Sequence, residues 1–130
     1  MMTLAEIRDW FKSEYMWQDS AYIGKIDKDR EIAVCFYGAS SSQSPIKTIG
    51  GKQNRSYSVK RVSVLLRYGT NAAVAEAQAQ RIYDFFDEKE TEINGKSVFI
   101  VSVYAEPIAL GTDDNGIYEY SLYYDFYERK

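Results

Sequence analysis

The sequence predicts an α+β fold: one domain over residues 1–130, with a mostly antiparallel or mixed sheet of about five strands and two helices packed on one face. Three observations lead there. Two stretches carry apolar residues at helical spacing, and several others carry strand-type runs bounded by Gly, Asn, Asp and Pro. At 130 residues the chain is also long enough to bury a core without metals or disulfides, and no linker divides it.

Thr3-Leu4-Ala5-Glu6 fits a capping box, in which each side chain satisfies the other residue's backbone donor, so the first helix opens at Thr3. Leu4, Ile7, Phe11 and Tyr15 then form a stripe that packs on a sheet, with Trp10 and Trp17 beside it. Strands follow from Ala21 to Ile26 and from Glu31 to Tyr37. Joined across Asp27-Lys28-Asp29-Arg30, they read as a β-hairpin. That turn lacks the glycine and distal glutamate of a calcium loop, so its aspartates are turn formers.

Residues 38–56, with their serine run and Gly50-Gly51, are long for a connection and read as a flexible loop or arm that orders against a partner. Gly50-Gly51-Lys52 lacks the spacing of a phosphate loop. Tyr57 to Tyr68 is a long strand. Its face with Arg61 and Arg67 is expected to meet solvent or a partner, while the face with Val62, Val64 and Leu66 turns to the core. Asn71 caps a second helix whose stripe is Ala75, Ala79, Ile82 and Phe86.

That helix reads as ending in an acidic cluster of Asp84, Asp87, Glu88, Glu90 and Glu92, unfavourably placed against the macrodipole. The cluster is either solvated or kept for an external contact. Asn94-Gly95 is a turn leading into the strand Val98–Tyr104, which Pro107 ends. Asp113-Asp114-Asn115-Gly116 makes a second turn, its carboxylates read as turn formers rather than cation ligands, before a last strand from Ile117 to Tyr127.

The side-chain inventory narrows the function. There is no histidine, the commonest general base and transition-metal ligand, and Cys35 is the only cysteine. Lying inside Ile32–Tyr37, it reads as a buried, inert thiol. No nucleophile elbow or dinucleotide loop is present, so no catalytic, cofactor-binding or metal residue is assigned, and no small-molecule substrate is expected. The start of the chain lacks the pattern of a signal peptide, and no run is long enough to cross a bilayer, which places folding in a cytoplasm with no membrane partner.

Charge is distributed unevenly. Between Glu31 and Glu76 there is no acid, whereas Lys47, Lys52, Arg55, Lys60, Arg61 and Arg67 are all basic. Net charge is −3, so the remainder of the chain carries −9. The basic stretch could meet nucleic acid, with Tyr57 and Tyr68 offering rings for stacking, or the acidic region of a second copy, or be scattered over the surface. The acidic remainder and a pI near 5.0 count against nucleic acid.

The order of these segments resembles the minor capsid proteins and tail terminators of long-tailed phages, also called tail completion or tail-to-head joining proteins. The features carrying the resemblance are the N-terminal helix, Tyr22–Asp27, Ile49-Gly50-Gly51, the strand Val62–Tyr68, the helix from Ala75 to Asp84 and the ending Gly111–Tyr120. It implies a virion protein, assembled in the host cytoplasm, that forms a hexameric ring capping the tail tube and meeting the head-completion or connector protein. A head-to-tail ring needs two different complementary patches per subunit. The residues expected to supply them are Lys52, Arg55, Lys60 and Arg61 on one side and Asp87, Glu88 and Glu90 on the other. The alternative is a non-catalytic nucleic-acid-binding module using residues 47–67.

Overall fold

Helix α1, Leu4–Glu14, opens as its sequence predicts. The Glu6 amide donates to the Thr3 hydroxyl, and the Thr3 amide donates to the Glu6 carboxylate. The computed structural model describes residues 2–39 and 57–129. Of the predicted loop 38–56, residues 40–56 lie outside the described residues, while Gly38 is the last residue of a strand and the Ala39 amide bonds to the Arg61 carbonyl. Helix α1 ends in a left-handed turn. Met16 has φ 61, and the Trp17 amide returns to the Lys12 carbonyl. That conformation suits glycine, because a Cβ costs ~1 kcal/mol there. Met16→Gly is therefore expected to stabilise the fold by about 0.5–1 kcal/mol in urea unfolding, glycine's freedom in the unfolded chain offsetting part of the relief. An unchanged midpoint would count against strain at Met16.

Among the described residues, seven strands form one sheet: β1 Ser20–Ile23, β2 Ile32–Gly38, β3 Tyr57–Tyr68, β4 Lys89–Ile93, β5 Lys96–Ser102, β6 Ile108–Thr112 and β7 Tyr118–Arg129. Their order is β1-β2-β3-β7-β5-β4, with β6 also paired to β7. Helix α2, Ala72–Phe86, starts at Asn71, whose side chain accepts from the Val74 amide. Both helices cover the same face. Ile7, Trp10 and Phe11 of α1 and Ala79, Ile82, Tyr83 and Phe86 of α2 share one core cluster with Val34, Phe36, Val62, Val64, Leu66, Ile100, Leu122, Tyr124 and Phe126. These strand residues alternate along each strand, as a sheet covered on one side requires. Phe86 lies at the centre of the cluster, with the rings of Phe11, Phe85 and Tyr124 within 5.4 Å of its own.

The sheet corrects four expectations. The strand count is seven rather than about five, because β4 and β6 join the five predicted strands. β1 and β2 do not form a hairpin: they pair in parallel, Ser20 opposite Ala33 and Ile23 opposite Phe36. The chain turns at Gly24, φ 73, and must run back along the strand before β2 begins. On the way Ile26 buries itself against Ala33 and Cys35 on the face opposite the helices. That burial removes the Ile26 side chain from water and so supports the return path.

The third correction concerns the acidic cluster. α2 stops at Phe86, Asp87 is extended at the cap, and Glu88 takes φ 54 to throw the chain into β4. Glu90 and Glu92 thus belong to a strand whose alternate residues Lys89, Thr91 and Ile93 are more buried, so the macrodipole does not act on them as expected. Asn94 and Gly95, φ 51 and 78, close the β4–β5 hairpin as a type I′ turn. Fourth, the arginine face of β3 is not simply open: Arg67 is fully buried.

Candidate subunit interface

Because the strands pair in defined registers, with one irregularity between β6 and β7 at Leu110, the sheet fixes which features stand level at its two ends. β1 lies beside Ala33–Phe36, and these face Val64–Arg67 of β3. At the other end β6 lies beside Tyr118–Ser121, which face Leu65–Arg67. β1 and β6 are therefore level with each other across the sheet. The second half of the sheet repeats this relation. β2 stops at Gly38 opposite Val62, leaving Tyr57–Arg61 of β3 with one strand neighbour among the described residues. Lys60 faces Phe126, which faces Ile100, which faces Lys89 of β4, so the Lys60 end and the Glu88–Glu92 end are level as well.

The expected charged residues divide by what they already touch. Arg61 forms a two-pronged ion pair with the residue opposite it, Asp125, at 2.8 and 2.9 Å. Asp87 accepts the Ser102 hydroxyl at 2.7 Å, and Ser102 also bonds to the Tyr83 hydroxyl. Both groups are engaged within the fold. Glu88 and Glu90 are exposed, and Lys60 is half-buried. Lys52 and Arg55 lie outside the described residues, as does Lys47. Of the six basic residues in the acid-free stretch, then, two of the three described ones are neutralised internally, which weakens the case for a nucleic-acid face built on Arg61 and Arg67.

Arg67 is the polar centre of the open face. Its guanidinium donates to Glu119 and Asp113, each at 2.8 Å, and to the carbonyls of Arg30 and Lys28 at 3.2 and 3.1 Å. One side chain thus holds the loop after β1, the turn after β6 and strand β7. Burial alone would lower its pKa, but its hydrogen bonds to Asp113 and Glu119 outweigh that and raise it, so the charge is permanent. Asp113 also accepts the amides of Asn115 and Ile117, which makes it the turn former the sequence suggested. The Ile117 amide, with Arg67 and Asn115 assisting against desolvation, holds the Asp113 carboxyl below its ordinary value of 3.8.

A carboxyl depressed in the folded state contributes stability that is complete above the unfolded pKa and is lost as pH falls through the folded one. Glu6, depressed chiefly by the Thr3 amide and then by Asn94, acts in the same sense. Stability is therefore expected to drop below about pH 4, and Asp113→Asn to make that drop shallower, in urea unfolding measured from pH 6 to 2.5. An unchanged slope in the variant would remove Asp113 from the account.

Cys35 is buried, and its thiol is pushed up chiefly by that burial, as its place in an apolar strand implied. The family model of the bacteriophage tail terminator protein matches residues 12–126. The chain belongs to that family. No curated protein and no solved structure gives a significant match.

Membership makes this tail terminator a structural component of the phage virion that interacts with other parts of the tail. The matched span runs from the end of α1 into β7 and so includes both ends of the sheet. No helix among its described residues is long and apolar enough to cross a membrane. Sequence reasoning missed the terminator's β4 and β6, although signals were present. Asn-Gly implies a strand before the turn as well as after it, and Lys89-Glu90-Thr91-Glu92-Ile93 alternates with period two. Nothing in the sequence pairs Arg67 with Asp113, because that contact depends on the register of β7.

Proposed function

We propose that six copies of this chain, each contributing one 130-residue domain, close into a head-to-tail ring that caps the tail tube and joins it to the head connector. The match to the tail terminator family over residues 12–126 carries this reading. Such a ring acts by geometry: it occupies the growing end of the tube, stops further addition of tube protein and offers a second surface to the head. No bond is made or broken in that work, and no cofactor enters it.

A closed heterologous ring needs two unlike patches at opposite sides of the subunit. Charge at the two ends of the sheet supports this. The end at Lys60 is basic, and the level position at the far end carries Glu88, Glu90 and Glu92. We therefore place Lys52, Arg55 and Lys60 of one copy against Glu88 and Glu90 of the next. Arg61 and Asp87, bound to Asp125 and Ser102, shape the two surfaces from within.

Light scattering over a range of protein and salt concentrations, with and without the tail-tube protein of the same genome, tests the reading. A hexamer is expected, alone or induced by the tube protein. The double variant Glu88→Lys, Glu90→Lys is expected to need about tenfold more protein to assemble at low salt, with the difference fading near 1 M salt as screening shortens the interaction. A monomer under every condition would end the ring proposal.

A further inference from the structure

Among the described residues the free edges of the sheet are β1, β4, β6 and the Tyr57–Arg61 half of β3, and the first three differ in a way that the single fold does not require. β4 carries Lys89, Glu90 and Glu92, the charged kind of edge that discourages addition of another strand. β1, Ser20-Ala21-Tyr22-Ile23, and β6, Ile108-Ala109-Leu110-Gly111-Thr112, carry no charge at all. β6 is nonetheless the more exposed of the two. Its pairing with β7 skips at Leu110 between Ala109 and Gly111, and the Leu110 side chain is left 52% exposed.

Exposed apolar side chains gather at the same two places. Met16 and Ile23 flank β1, and Tyr104 and Leu110 flank β6; these are four of the seven large apolar residues exposed among the described ones. An uncharged edge with an apolar rim is what a protein retains when another strand or strand-like surface is to cover it. The two edges lie at opposite ends of the sheet and are level with one another, both standing beside the Leu65–Arg67 rows. Below them, also level, stand Lys60 at one end and Glu88 and Glu90 at the other.

From this arrangement we infer that the β6 edge of one copy packs onto the β1 edge of the next, extending the sheet from subunit to subunit, with Leu110 seated against Ile23 and Met16. The occupant is a second copy because one step along the sheet serves both levels: uncharged edge meets uncharged edge, and Lys60 comes to one strand position from the β4 edge with Glu88 and Glu90, within reach of long side chains. A contact between two β1 edges or two β6 edges would satisfy neither the charges nor the closure of a ring. The inference rests on the ring proposed above and adds which strands make its joints.

Cysteine cross-linking tests it. Cys35 is fully buried, so Ile23→Cys and Leu110→Cys, singly and together, supply the accessible thiols. Oxidation of the double variant is expected to give a ladder of multimers on a non-reducing gel, whereas each single variant gives dimers at most. Leu110→Lys is expected to keep the wild-type circular dichroism and melting temperature but to require at least about tenfold more protein to assemble. If wild-type protein assembles by light scattering while the double variant gives no ladder and Leu110→Lys assembles normally, the strand joint is wrong and the ring survives. If wild-type protein remains monomeric with and without tube protein, the ring reading falls and the joint falls with it.

Discussion

Replacing Arg67 with methionine is expected to cost about 3 kcal/mol of folding stability, although methionine is unbranched like the arginine stem and more apolar than what it replaces. The reason lies in the partners left behind. Glu119 and Asp113 are mostly covered, with 21% and 18% of their side chains exposed, and both would lose the cation that holds them. The carbonyls of Lys28 and Arg30 would lose their donors in the same change. Some of this is recovered as the carboxylates move to water, which places the figure at the low end of the range for breaking a buried pair. Arg67→Lys keeps the charge but lacks the planar fork that reaches four acceptors, so it is expected to lose roughly half as much.

The same account predicts a rescue. Adding Asp113→Asn and Glu119→Gln to the methionine variant removes the stranded charges, and the triple variant is expected to regain about 1–2 kcal/mol over Arg67→Met alone. Urea unfolding at pH 7 reads all three. An Arg67→Met variant within ~0.5 kcal/mol of wild type would show that the network is incidental to stability. Because Arg67 grips the loop after β1 and the turn after β6 together, its loss should also disturb the two edges proposed to meet in the ring, and assembly should weaken more than the stability loss alone accounts for.

How far the fold was legible follows from where its information lies. The helices were readable because a stripe such as Ile7-Phe11 or Ala79-Ile82-Phe86 needs only local sequence, and the Thr3–Glu6 box and the Asn71 cap mark the starts. The central strands β2, β3 and β7 were readable for the same reason, being long and rich in apolar residues. What failed was partner choice. A short polar connection after Ile23 suits a hairpin locally, and only the burial of Ile26 beneath Ala33 and Cys35, together with Arg67 binding the carbonyls of Lys28 and Arg30, turns β1 parallel to β2. The Arg67 contacts join residues nearly forty apart, and the Ile26 contacts depend on a path that no local pattern specifies. The interface expectation divided on the same line. Net charge by segment was visible, but that Arg61 is neutralised by Asp125 and Asp87 held by Ser102 depends on which residue register sets opposite which.

Phe86→Ala and Phe85→Ala separate local pattern from tertiary weight most sharply. The two residues are adjacent, chemically identical and in ring contact, yet one is fully buried and the other only partly. Phe86 points into the sheet, where it meets Trp10, Phe11, Phe36, Tyr124 and Phe126, rings contributed by α1 and by strands β2 and β7. Removing it takes away the transfer free energy of a whole ring and leaves a cavity walled by rigid aromatic groups that cannot collapse into it. The expected cost is about 4–5 kcal/mol, the upper part of the range for such truncations. Phe85 packs against Trp10 and Tyr15 at the rim and supports the Lys89 ammonium 4.0 Å above its ring, so the gap it leaves opens to water, and about 2 kcal/mol is expected. Since a domain of this size holds only about 5–15 kcal/mol in total, Phe86→Ala should bring the protein near its folding threshold while Phe85→Ala remains well folded. Thermal and urea unfolding of the two variants side by side decide it: equal losses would mean that the core is less centred on Phe86 than its six aromatic neighbours imply.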